Sequence, residues 1–465
     1  MKTRYFDLID QTFNFPQKEF SLEGDELRFH GMPLMDLIRE FGTPLRFTYL
    51  PKISENIQKA KKWFTRAMKI HDYEGTYNYC YCTKSSHFSH VLEEALKNDI
   101  YLETSAAYDL DIIEKLHTRG SYSRDRKIIC NGFKTKQYLE KIISLYKSGF
   151  TEILPVLDNF KEFDELAQGM PDTFNMGLRI ASEEEPKFDF YTSRLGIGYK
   201  DILPFYLSKI QQQEKAKLKM LHFFINTGIK DTAYYWSELA KCLNVYVQLK
   251  KHCPELDSLN IGGGFPIKNS LEFEYDYQGM TEYIIENIKK VCLENNVPTP
   301  HIFTEFGSFT VGESGGNIYK VVYQKQQNDR ERWNMIDSSF ITSLPDSWAI
   351  NSRFVMLPIN RWFDPYERVM LGGITCDSDD FYNSEQHTNA IYLPQYQGDK
   401  PLYLGFFNTG AYQDNIGGFG GIQHCLIPNM KFIIIDKDAE EEDEFTYTVF
   451  SPEQSAEHML NILGY

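Results

Sequence analysis

Eight short strand-like runs alternate with helix-like segments between Tyr77 and Glu305, and no other feature of the chain narrows its fold so far. The runs are Tyr77–Cys82, 100–104, 127–131, 152–157, 174–180, 218–225, 258–261 and 300–305. In the first intervening segment Phe88, Val91, Leu92, Ala95 and Leu96 fall on one helical face. The same spacing recurs at 136–148, at 232–250, and through Met280, Ile284, Ile288, Val291 and Cys292. Eight repeats over roughly 240 residues is what a (β/α)8 barrel requires. An open doubly wound sheet uses the same rhythm, but its glycine fingerprint for a nucleotide is missing.

The texture changes after Gly315. Helical periodicity fades, and short strand patterns follow at 318–323, 354–357, 368–372, 402–407, 432–435 and 445–449. Ahead of the barrel lie a strand pattern at 26–30, an amphipathic piece at 35–41, a break at Gly42-Thr43-Pro44 and a strand at 45–49. The expected division is therefore a barrel over 47–315 and a mostly antiparallel β-domain built from both chain ends, 1–46 and 316–465. The acidic run 438–444 reads as a solvated loop.

Composition excludes several functions. Hydrophobic residues make up 42% of the 465, enough for two domains with real cores. Lys+Arg 49 against Asp+Glu 65 gives a net charge of −16 with no basic stripe, so nucleic acid is not an expected partner. No apolar run reaches the length of a membrane span, and the first residues carry no leader pattern. The eight cysteines are dispersed without a Cys-x-x-Cys pair, which suggests neither a metal site nor a disulfide framework, and makes a reducing cytoplasm the default location.

In parallel β/α folds the chemistry gathers where the strands end. Lys84 sits there after the first strand, where partial desolvation makes a lysine nucleophilic; taken alone it reads more readily as a surface lysine capping the strand. Gly262-Gly263-Gly264 follows the seventh strand and bares backbone N–H groups, as a phosphate cradle needs, or simply makes a tight turn. Glu305 places a carboxylate at the end of the eighth strand. In the β-domain stand Gly410-Ala411-Tyr412 and, upstream, the stretch LGGITCDSDD over 371–380.

With these motifs in this order the chain resembles the fold-type III pyridoxal-phosphate decarboxylases, the group of ornithine, diaminopimelate and arginine decarboxylases, over nearly its whole length. It is most similar to the biosynthetic arginine decarboxylases through ICNGFK (129–134), LPDSWAI (344–350), ITCDSD (374–379) and GAYQ (410–413), although shorter than typical members of that branch. The resemblance implies that Lys84 carries pyridoxal 5'-phosphate, with Glu103 and Asp109 as acidic neighbours. It implies that Gly262, Gly263, Gly264 and Tyr412 meet the phosphate, that Thr227 and Arg179 line the cofactor, and that Glu305 faces the pyridine nitrogen. Cys376 would enter from a second subunit of a homodimer and return a proton to the substrate. Asp377 and Asp346 would grip the distal cation of a basic amino acid. The implied reaction is decarboxylation of L-arginine to agmatine.

Two departures mark this chain. The family's stacking histidine is replaced by Phe224, which keeps a π-face but moves no proton. An arginine that usually holds phosphate is replaced by Ser308, which offers one hydrogen bond and no charge. Decarboxylation of ornithine, lysine, diaminopimelate or carboxynorspermidine, and a regulatory pseudoenzyme of the same fold, are the alternatives. Cys376 alone is also readable as an inert cysteine, and His222 as a satisfied core histidine.

Overall fold

A computed structural model describes residues 18–183, 193–329, 331–382, 391–437 and 444–465. The leader reading at the first residues, and all of the acidic run but Glu444, lie outside the described residues. Contacts group the described chain into two units. One is formed by residues up to Ile53, by Ile267–Glu274 and by Val311–Tyr465; the other by Ser54–Pro266 and Tyr275–Thr310.

The second unit is the barrel. Its strands are β1 (Tyr77–Cys82), β2 (Tyr101–Thr104), β3 (Ile128–Cys130), β4 (Ile153–Leu157), β5 (Phe174–Arg179), β6 (Ala216–His222), β7 (Ser258–Asn260) and β8 (His301–Phe306). All eight run parallel in sequence order, and β8 pairs back onto β1, with Glu305 opposite Cys80. The interior is packed, not open. Cys80, Ile129, Leu154, Val156, Met220 and Phe303 form one buried cluster drawn from five strands.

Polar caps start the helices where the periodicity begins. Thr135, Asn159, Thr232 and Asp276 each accept a backbone N–H of the first turn that follows. One boundary departs from expectation: β6 ends at His222, three residues early. Beyond it Gly228 adopts φ +78°, and a Cβ there would lie 2.5 Å from the carbonyl oxygen of Gly264. Ile229 N donates to that same oxygen at 2.9 Å. The loop after β6 thus leaves the sheet in order to press its backbone against the glycine loop after β7, which only glycine permits.

In the other unit Leu45–Tyr49 lies inside a ten-stranded sheet. It pairs antiparallel with Gly315–Gln326 and parallel with Lys431–Lys437, so a strand from the start of the chain is flanked by two from its end. Most other pairings are antiparallel. Leu45, Phe47, Ile318, Phe407, Ile433 and Ile435 share its core with the fully buried Trp362. Phe20–Glu23, Glu26–Phe29 and Met32–Pro33 form a small separate sheet. Among the described residues no helix is long and apolar enough to cross a membrane.

Candidate active site

The C-terminal ends of the barrel strands carry a continuous buried polar network. Lys84 stands in the 3₁₀ turn Thr83–Ser85 directly after β1, and its Nζ donates to Glu103 Oε2 of β2 at 2.6 Å. Glu103 is fully buried, whereas the Lys84 side chain is 41% exposed and so reachable from the mouth. Asn131, one residue past β3, joins two carboxylates: its Nδ2 donates to Glu103 Oε1 at 3.1 Å and to Glu305 Oε1 at 2.7 Å. Asn260, the last residue of β7, donates to Glu305 Oε1 at 2.5 Å and accepts from Gly262 N at 2.9 Å. His222 Nε2, from the end of β6, lies 3.3 Å from Glu305 Oε2 without hydrogen-bond alignment.

The two buried carboxyls are pushed apart. Burial opposes ionisation of both. At Glu305 it is outweighed by His222, Lys84 and the Asn131 amide, which hold the group down at about 2. At Glu103 burial prevails over the adjacent Lys84 and the carboxyl is raised. Glu305 is thus a fixed anion that can keep a neighbouring ring nitrogen protonated.

Asp109 occupies the first turn of the helix Ala107–Thr118. Its Oδ2 accepts from Ser105 N at 2.7 Å and Ala106 N at 3.1 Å, while Oδ1 lies 2.9 Å from His87 Nε2. It caps its own helix and fixes an imidazole; burial works against its charge, and those bonds hold the carboxyl below its ordinary value.

Beyond β5 and β6, the Arg179 guanidinium stands 5.8 Å from the centroid of the Phe224 ring. The same ring packs against Gly262, where a Cβ would come within 3.2 Å of it. Thr227 Oγ1 and Asn226 Oδ1 are buried in this loop without a hydrogen-bond partner among the described residues. Ser308 opens the short helix Ser308–Val311 after β8.

The remaining sequence-derived residues belong to the sheet unit. Cys376 and Asp377 lie on the turn after the strand Tyr366–Gly372. Buried Asp380 pins that turn, accepting from Phe340 N at 2.8 Å, Ser339 Oγ at 3.1 Å, Thr375 N at 3.1 Å and Thr375 Oγ1 at 2.7 Å. Cys376 is exposed, and Asp377 is half-buried with Oδ1 accepting from Asp379 N at 2.8 Å. Asp346 is tied to Gln413, whose Nε2 donates to Asp346 Oδ2 at 2.8 Å. Tyr412 precedes Gln413–Gly417 at φ +67°, a strained position for a non-glycine residue.

Asn131, Asn260, His87 and Asp380 are not among the residues the sequence singles out, and His222, readable there as a core histidine, is indeed buried and lies beside Glu305. Amides and capped acids carry no signature of their own. The available signal was position: Asn131, Asn260 and His222 each sit at or one past a barrel strand's C-terminal end.

Residues 52–312 match the pyridoxal binding domain of the pyridoxal-dependent decarboxylases. Among curated proteins the chain is 22% identical to a biosynthetic arginine decarboxylase of Prochlorococcus marinus (strain MIT 9215), over 92% of this chain and 83% of that protein. It is 21% identical to the same enzyme of Thermosynechococcus vestitus, over 82% and 77%. Among solved structures it is similar to the biosynthetic arginine decarboxylase of Campylobacter jejuni (TM-score 0.81, 18% identity, 98% of this chain and 90% of that one). It is also similar to diaminopimelate decarboxylase from M. jannaschii (TM-score 0.77, 17% identity, 94% and 95%). At these identities the structural likenesses establish the fold alone.

Proposed function

The chain belongs to the pyridoxal-dependent decarboxylase family, and from that premise we propose that it decarboxylates L-arginine to agmatine and CO2. That it is a pyridoxal-phosphate enzyme acting on a small amino acid follows from the family. The residues present fit the cofactor. A phosphate needs hydrogen-bond donors, and the buried Thr227 hydroxyl, beside the bare glycine loop, has no hydrogen-bond partner among the described residues. A protonated pyridine needs a carboxylate that stays ionised, and Glu305 is held so.

In this reading Lys84 would hold the cofactor through the amine that Glu103 now orients. Gly262, Gly263, Gly264, Thr227, Ser308 and Tyr412 would hold the phosphate, Phe224 would offer a π-face to the ring, and Arg179 would lend positive charge. Asp109 acts through His87 as a positioning residue. When bound, the cofactor supplies the electron sink for the pair left on Cα as CO2 departs. Cys376 then delivers a proton to Cα. Asp377 and Asp346 accept the planar fork of guanidinium N–H donors, an array that a shorter ammonium leaves partly unpaired.

The observation that carries the substrate assignment is the shared turn. Cys376 and Asp377 are adjacent on one loop pinned by Asp380, so a cation-gripping carboxylate travels with the proton donor. The names of the relatives point the same way. In the proposed homodimer this turn reaches the partner's barrel, each subunit contributing one barrel unit and one sheet unit drawn from both ends of the chain. Supporting it, exposed Trp348, Ile350 and Ile416 lie on two neighbouring helices of the sheet unit, an apolar patch of the kind interfaces cover. The deciding assay supplies the holoenzyme with arginine, ornithine, lysine and diaminopimelate and identifies the amine beside released CO2. Agmatine should dominate. Faster turnover of any other substrate rejects arginine and leaves the decarboxylase intact.

A further inference from the structure

Six of the eight cysteines are buried, and the two exposed ones face each other. Cys376 Sγ lies 3.3 Å from Cys425 Sγ, although 49 residues separate them in sequence. Cys425 Sγ is 3.4 Å from His424 Nε2, and that nitrogen is 3.7 Å from Asp377 Oδ2. Four metal-ligating groups thus converge at the solvent edge of the sheet unit. The backbone is bent to make this happen: Cys425 and Leu426 both adopt left-handed conformations, at φ +55° and +54°, inside the turn His424–Leu426. Two successive non-glycine residues held there are strained unless something rewards the arrangement.

We propose that Cys376, Cys425 and His424, with Asp377 within reach as the fourth ligand, form a binding site for a zinc-class divalent ion. Two thiolates with an imidazole and a carboxylate are the ligands such an ion takes in tetrahedral array. Bond lengths of about 2.3 Å to sulfur and about 2.0 Å to nitrogen put neighbouring ligand atoms about 3.5–3.7 Å apart. The Cys376–Cys425 and Cys425–His424 spacings, 3.3 and 3.4 Å, fall within about half an ångström of that, and ligand atoms of Cys376, His424 and Cys425 all lie within 4.8 Å of one another; side-chain rotation brings the Asp377 carboxylate in as the fourth. Binding releases the two thiol protons to solvent.

The ion would occupy the same thiol and carboxylate that the catalytic reading assigns to proton delivery and substrate capture. On that reading the site is inhibitory: metal and arginine exclude one another. Cys425 and His424 have no place in the catalytic reading, so they can be changed without touching the reaction.

The test uses reduced, chelator-treated holoenzyme and Co2+ as a spectroscopic probe. Wild-type protein should take one equivalent and show the intense visible bands of tetrahedral, thiolate-bound cobalt, which Zn2+ then abolishes. Cys425→Ser should lose those bands while keeping basal turnover, and His424→Ala should weaken binding by at least the ~10–100-fold that altering a metal's supporting partners costs. Zn2+ should also protect Cys376 and Cys425 from alkylation in the wild-type chain, a readout that needs no variant to fold. Equal alkylation with and without zinc, or bands that survive Cys425→Ser, overturns the site. Zinc that binds and protects but leaves arginine turnover unchanged upholds the metal site and overturns the catalytic placement of Cys376 and Asp377.

Discussion

The barrel's polar network and the Cys376 turn are built on opposite principles. In the barrel Glu103, Asn131, Asn260 and Glu305 are each buried and each bonded to at least one of the others, on strands that cannot move independently. On the sheet unit Cys376, His424 and Cys425 are exposed and carried by turns, with only Asp380 beneath them fully committed to structure. A buried network fixes charge states and costs stability when a member is lost. An exposed turn leaves its functional groups free to take a proton, a substrate or a metal, at little structural consequence. Charge setting and stability should therefore divide from proton delivery and selectivity along the same line.

Lys84→Ala gives the largest effect. Turnover should vanish, and borohydride treatment should no longer fix a pyridoxyl group to the peptide containing residue 84. Wild-type labelling at another lysine would remove Lys84 from its role. Cys376→Ala should lower kcat by ~100–10,000-fold, the range for a lost proton-transfer group, while leaving thermal stability and cofactor absorbance as in wild type. Mixing these two inactive proteins should restore activity through hybrid dimers. If subunits demonstrably exchange and nothing returns, the site is not shared.

Asp377→Ala should reduce kcat/KM for arginine by ~10–150-fold, matching the loss of one charge-assisted hydrogen bond of about 1.5–3 kcal/mol. Cofactor content should not change. A matching loss of cofactor would tie Asp377 to the barrel's work and erase the contrast. Asn131→Ala tests the other side: two buried carboxylates each lose a donor. Unfolding free energy should drop by about 1–3 kcal/mol, and denaturant titration of the apoprotein reads that drop apart from cofactor loss.

A further effect concerns pH. Burial pushes the His90 imidazole down to about 4 from its ordinary 6.5. Between those values the unfolded chain binds the proton more readily, so stability should fall as pH drops below about 6.5. His90→Phe should flatten that slope. An unchanged slope would place the acid sensitivity elsewhere.

Much of this molecule was legible without coordinates because its signals are local. Alternation of strand and helix depends on nearest-neighbour sterics and on apolar spacing, and the eight barrel strands lie where those patterns place them. Leu45–Tyr49 was readable as a strand; its position between Gly315–Gln326 and Lys431–Lys437 was not, since pairing across hundreds of residues leaves no local trace. Lys84, Gly262–Gly264 and Glu305 announce themselves by residue type at strand ends. Tertiary structure alone decided that Asn131 spans Glu103 and Glu305, that Asp109 is engaged by His87, and that Cys425 meets Cys376. An amide, a capped carboxylate and a distant thiol take their chemistry from what stands opposite them, and only the folded chain determines which residue that is.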